Sequence, residues 1–164
     1  VYFMDTVNYL IGNDTQIDIG MEKGDDMKDL TEDEVKERIK LKLGIQVPNF
    51  GYRPKGLEFE SYEIDELNGK AKLNYKYEEK KAAFLVGNNT KKAIGNTSPH
   101  GKEIHRYSIV TLYDQINVEV VENKEDTDIE STFTATWKYG NAYYQFSGKL
   151  EKEDFLEIVE RICY

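Results

Sequence analysis

Cysteine is nearly missing from this chain: Cys163 is the only one in 164 residues. A single thiol excludes an internal disulfide and any cysteine-based metal cage. Scarcity of this kind marks reducing compartments, but many exported bacterial proteins share it, so it assigns no compartment. Cys163 is far from any base recognisable in the sequence, which predicts a packing role rather than a nucleophile. Histidine is almost as scarce, with two residues, and proline has three. No run of 18 apolar residues and no signal peptide is present, so no spanning helix is expected within these residues. Positive charge is also short. Lys and Arg number 22 against 31 Asp and Glu, a formal net charge of −9, which argues against nucleic acid and against adsorption to an anionic membrane surface. The chain begins at Val1 without an initiator Met, which leads us to expect a leader or membrane anchor upstream.

The motifs that carry chemistry are absent too. There is no G-x-S-x-G elbow, no S-x-x-K pattern and no Gly-rich phosphate loop. His100 and His105 lie five apart across a loop-to-strand boundary with no third ligand nearby, so exposed loop histidines are the better reading than a zinc site. Asp25-Asp26-Met27-Lys28-Asp29 lacks the ordered D-x-D-x-D-G and the distal Glu of a calcium loop. Asn13, Asn88 and Asn96 head N-x-S/T triplets, which matter only if a eukaryotic secretory pathway makes the chain. The sequence therefore assigns no catalytic, cofactor-binding or metal residue, calls for no cofactor, and leaves the ligand-binding residues unknown.

What is present describes a fold. At this length a single domain, residues 1–164, can bury a substantial core. Residues 1–44 read as an N-terminal strand (1–11), an acidic loop through Asp29 and a helix. Residues 45–164 read as an antiparallel sheet with a C-terminal helix. Thr31-Glu32-Asp33-Glu34 is a capping box that starts the first helix, and Gly44 supplies its left-handed stop. Val35, Ile39 and Leu43 form its narrow apolar stripe. Pro48 and Pro54 forbid regular helix over 45–56 and predict an extended, partly buried connector. Leu57 and Phe59 share a parity that Tyr62 and Ile64 do not, which predicts a bulge near Glu60-Ser61. Ala71, Leu73, Tyr75 and Tyr77 alternate with Lys70, Lys72, Asn74 and Lys76, the pattern of a half-exposed antiparallel strand. Further strands are expected over 82–86, 104–113 and 116–121, with a long polar loop over 87–103.

The final third organises the rest. Gly140-Asn141 fits a type II′ two-residue turn, and that turn fixes the register: Tyr139 faces Ala142, Trp137 faces Tyr144, and Ala135 faces Phe146. The large rings then share one side, while Thr134, Thr136, Lys138, Tyr143 and Gln145 take the other. The helix that follows is expected to carry Phe155, Leu156, Val159 and Ile162 on one stripe. The fold class expected is α+β: a curved antiparallel sheet of about seven strands with two helices, the C-terminal one packed on the last hairpin.

This closing segment also carries a resemblance. Trp137, the Gly-Asn turn, Tyr144, Phe146-Ser147-Gly148, the acidic pair Glu153-Asp154, and Phe155-Leu156 with Ile158-Val159 resemble the C-terminal signature of a bacterial family. That family is a domain of unknown function found on the outer side of anti-sigma-factor-like membrane proteins and related envelope proteins. Tyr52-Arg53-Pro54-Lys55-Gly56 resembles its entry into the first strand. Glu151 stands where a Ser-like helix cap is usual. The resemblance implies a non-enzymatic, extracytoplasmic sensor or protein-interaction domain of a membrane-anchored regulator. Its partner would be an unknown protein or a small apolar ligand, not nucleic acid, and it would meet the membrane only through an anchor outside these residues. The alternative expectation is an envelope carrier holding a lipid or apolar peptide in a pocket under the curved sheet.

Overall fold

The structure, a computed structural model, describes residues 21–25, 30–88 and 101–164. The expected N-terminal strand over 1–11, and most of the expected loops over 12–29 and 87–103, lie outside those residues. In chain order the elements are β1 (Met21–Asp25), α1 (Glu32–Leu43), β2 (Asn49–Phe50), β3 (Leu57–Asp65), β4 (Lys70–Tyr77), β5 (Lys80–Asn88), β6 (Lys102–Val110), β7 (Asn117–Lys124), β8 (Thr132–Tyr139), β9 (Ala142–Gly148), α2 (Lys152–Glu160) and β10 (Ile162–Cys163). Eight strands form one antiparallel sheet in the order β1-β3-β4-β5-β9-β8-β7-β6, and β2 pairs separately with β10. The sheet is curved and does not close, so the α+β class stands.

Local chemistry sets most of these boundaries. The Thr31 hydroxyl accepts the Glu34 amide at 3.3 Å, and the Glu34 carboxylate accepts the Thr31 amide at 2.9 Å. This capping box satisfies two amides that a helix start leaves open. Gly44 closes α1 in the left-handed region at φ 70°. The β3–β4 register shifts between Phe59 and Ser61, which places the predicted bulge at Glu60. Gly140 has φ 59° and Asn141 does not enter the positive region, as a type II′ turn requires. The β8–β9 register follows with Tyr139↔Ala142, Trp137↔Tyr144 and Ala135↔Phe146.

Both helices lie on one face. Val35 and Ile39 of α1 and Phe155, Ile158 and Val159 of α2 join a single core cluster with the inward residues of β3, β4, β5, β8 and β9. The Phe155 ring stacks 5.3 Å from Phe146 and 5.4 Å from Phe133, so α2 roofs the aromatic side of the last hairpin. Phe50, from β2, lies 5.4 Å from Tyr75 and 5.3 Å from Phe146 and bridges the two halves of the sheet. Each such ring pair adds about 0.5–1.5 kcal/mol beyond area burial.

Three expectations need correction. The acidic stretch read as loop through Asp29 contains β1, which pairs with β3 from Met21↔Asp65 to Asp25↔Ser61. Edge pairing needs only backbone groups, so a charged segment with a glycine gives no side-chain pattern to reveal it. The apolar stripe of α2 is Phe155, Ile158 and Val159; Leu156 is only half-buried, and Ile162 is buried beyond the helix, in β10. The helix ends at Glu160 because Ile162-Cys163 are drawn into pairing with Asn49-Phe50. The third concerns the supposed polar side of the hairpin, where Gln145 and Ser147 are 0% exposed, beside Leu85 at 1%. Alternation says which face a residue takes, not whether that face meets water.

Candidate functional site

Among the described residues a set of part-buried polar side chains meets where the connector 45–56 crosses the helix starts. Two first-turn carboxylates are received there. Glu32 of α1 accepts the Tyr75 hydroxyl at 2.6 Å and the Arg53 guanidinium at 2.8 Å, with Lys36 Nζ 3.6 Å away. Asp154 of α2 accepts the Tyr52 hydroxyl at 2.9 Å and the Tyr77 hydroxyl at 3.1 Å. Tyr75 and Tyr77 share the inward parity of β4, and Tyr52 and Arg53 are neighbours in the connector. Each carboxylate is therefore held by one residue of the sheet and one of the strap. A negative charge in a helix's first turn is also favoured by the exposed amides there.

The electrostatics follow from this wiring. Burial alone would raise the Glu32 carboxyl, but the bonds from Arg53 and Tyr75 and the charges of Arg53 and Lys36 outweigh it and hold the group below its ordinary 4.5. Burial pushes the Tyr75 hydroxyl well above its usual value, with the neighbouring Glu32 charge adding to it. Arg53 also lies 5.2 Å over the Phe50 ring, a cation–π contact that fixes the guanidinium between ring and carboxylate. Glu32 is held by an ion pair and hydrogen bonds and Asp154 by two tyrosine hydroxyls, an arrangement suited to clamping two helices.

A second cluster closes the far end of the core. The Trp137 indole N–H donates to the Tyr164 hydroxyl at 2.9 Å, and the Tyr164 ring stacks on Tyr139 at 3.8 Å. The Tyr144 hydroxyl donates to the Gln46 carbonyl at 2.6 Å. Gly51 is needed at the seam: its amide donates to the Arg161 carbonyl at 2.9 Å, and a Cβ there would meet that oxygen at 2.4 Å.

Two concavities are lined by described residues. One of about 520 Å³ lies open along α1, lined by Leu30, Asp33, Glu34, Glu37, Arg38 and Leu41. The other, about 120 Å³, lies on the opposite face of the sheet, where Arg106 pairs with Glu103 and Glu119 beside Thr134 and Thr136. Among the described residues no group of three or more His, Cys, Asp or Glu is arranged to hold a metal ion. His105 is exposed on β6, with Nδ1 3.4 Å from Glu122; His100 lies outside the described residues. Cys163 is half-buried in β10. Sequence reasoning missed the Glu32–Tyr75 and Asp154–Tyr77 pairs, because partners 43 and 77 positions apart leave no local pattern.

An open antiparallel sheet with both helices packed on one face, each tied by a first-turn carboxylate to the sheet and the connector, defines a domain of the α+β class. The chain belongs to the domain of unknown function family DUF4367, whose model matches residues 47–162. No curated protein and no solved structure matches it. The matched span includes the strap residues Tyr52 and Arg53 and the closing Trp137-to-Ile162 segment, and leaves α1 outside.

Proposed function

We propose that this chain is a non-enzymatic sensor or protein-interaction domain, held outside the cytoplasmic membrane by a membrane-anchored regulator resembling anti-sigma factors. The observation that carries this reading is the way the first-turn carboxylates of its two helices are used. Glu32 and Asp154 each accept hydrogen bonds from two side-chain donors, so these first-turn charges hold the helices to the rest of the fold. Membership of DUF4367 and the closing signature support the placement. The carrier alternative draws less support, because Phe50, Phe84, Phe146 and Phe155 stand between sheet and helices, where a lipid would need space.

Two experiments on the full-length gene product test the proposal. In a Cys163→Ser background, Ile129→Cys places a thiol at a site 95% exposed. A membrane-impermeant maleimide is expected to label it in intact cells. Labelling only after lysis would overturn the extracytoplasmic placement. Removing residues 47–162 is expected to change transcription from promoters of the cognate sigma factor, and unchanged transcription would remove the regulatory role.

A further inference from the structure

Among the described residues the sheet ends at β6, and that edge is unusually open. Natural edges are kept short, broken by proline or covered, whereas β6 runs nine residues, Lys102–Val110, with neither Pro nor Gly. Its bulge, between Glu103 and His105, lies at the start and leaves the rest regular. The direction of its backbone groups follows from the turn that ends it. The Thr111 amide donates to the Ile116 carbonyl at 2.9 Å, so Thr111 turns its backbone toward β7. In an antiparallel ladder alternate residues present N–H and C=O to the same side. Ile109 and Tyr107, opposite Val118 and Val120, therefore also bond toward β7. Arg106, Ser108 and Val110 present theirs outward, and no described residue meets those six groups.

The surroundings fit a particular kind of occupant. Four of the eight exposed large apolar side chains among the described residues, Ile104, Val110, Leu112 and Tyr113, lie on or just beyond this strand. The β6–β7 unit is acidic: Glu103, Asp114, Glu119, Glu122, Glu125 and Asp126 outnumber Lys102, Arg106 and Lys124. A second copy of the chain would bring another −9 against the first, which opposes self-pairing at low ionic strength.

We propose that β6 is an acceptor edge for β-strand addition, taking an extended, net-positive segment of a partner protein with apolar side chains at alternate positions. Main-chain bonds to Arg106, Ser108 and Val110 would supply the pairing, and the apolar side chains at the edge would read alternate residues. The inference deepens the protein-interaction reading and does not depend on where the domain resides, so it and the labelling experiment fail separately.

The test uses residues 1–164 and an acetylated nine-residue peptide alternating Val with Lys and Thr, followed by amide exchange resolved residue by residue. In the free monomer the Arg106, Ser108 and Val110 amides are expected to exchange rapidly. With saturating peptide they should slow at least tenfold. N-methylation of every second peptide amide should weaken binding at least tenfold in one phase of the alternation and not in the other. Ser108→Pro should abolish binding, and Val110→Lys should weaken it at least tenfold with the melting temperature unchanged, which keeps the test intact if the proline variant does not fold. Three results would overturn the proposal: protection of those amides in the free monomer, a dimer formed through them, or peptide binding that is absent at millimolar concentration or indifferent to N-methylation.

Discussion

Tyr75 and Tyr77, two residues apart on β4, each donate a hydroxyl hydrogen bond to a first-turn carboxylate of a different helix: Tyr75 to Glu32 of α1 and Tyr77 to Asp154 of α2. One strand thus fixes the entry points of both helices. Tyr75→Phe removes a charge-assisted bond in a buried setting and is expected to cost about 1.5–3 kcal/mol, measured by urea denaturation. A loss below the error of the fit would mean that Arg53 and Lys36 suffice to hold Glu32.

The same wiring sets the acid limb of stability. The folded Glu32 carboxyl is held below its ordinary value of 4.5, so the folded state binds fewer protons than the unfolded one as the pH drops below that value. Its contribution is present above the unfolded value and is lost as pH falls through the lower, folded one. Glu32→Gln should flatten the acid limb below about pH 4.5 relative to wild type, followed by melting temperature across that range.

The alkaline limb belongs to the tyrosines. Burial, reinforced by Asp154, raises the Tyr77 hydroxyl to about 12; burial raises that of Tyr144 to about 12. Stability from these groups is present below the ordinary value of 10 and is lost as pH rises through the folded values. Absorbance at 295 nm should therefore show ionisation of Tyr77 and Tyr144 well above pH 10, together with loss of the near-ultraviolet circular dichroism signal.

Gln145 is the clearest unspent polar group. It is 0% exposed on β9, and neither its Nε2 nor its Oε1 has a hydrogen-bond partner among the described residues. An orphaned buried amide costs about 1–3 kcal/mol, so Gln145→Leu is expected to raise the melting temperature by roughly 2–10 °C. A lower melting temperature would show that the amide is satisfied by bound water.

Two helix and turn positions are open to improvement. Glu151 caps α2 without any side-chain hydrogen bond, and Glu151→Ser should add about 0.5–1 kcal/mol. Glu78, in the β4–β5 turn, holds φ 56°, a region that costs an L-residue about 1–2 kcal/mol; Glu78→Gly should recover part of that. In contrast, Phe155→Ala should cost about 3–5 kcal/mol, a large part of a domain's usual total. Denaturant midpoints order all three.

Legibility in the sequence tracked the range of the interaction. The α1 capping box, the Gly44 stop, the bulge at Glu60 and the register across Gly140-Asn141 all depend on residues within a few positions of one another, and each stands in the structure. The roofing of the hairpin by Phe155 was readable because the rings and the apolar helix stripe each needed cover. The β2–β10 pairing, the clamps at Glu32 and Asp154 and the orphaned amide of Gln145 were not readable. They depend on which distant segments meet, and periodicity carries no information about that. The weak cap at Glu151 was visible early, since glutamate there offers no short side-chain acceptor.

The strand order has a consequence for how the chain comes together. β9 is the piece that joins β5 to β8, and through β8 to the β6–β7 ribbon. A polypeptide emerging N-terminus first, from a ribosome or through a translocation channel, carries the ribbons 57–88 and 102–124 as separate pieces until Gly148 is out. Completion of the sheet is therefore a late, concerted event, and quality-control proteases have their widest opportunity just before it.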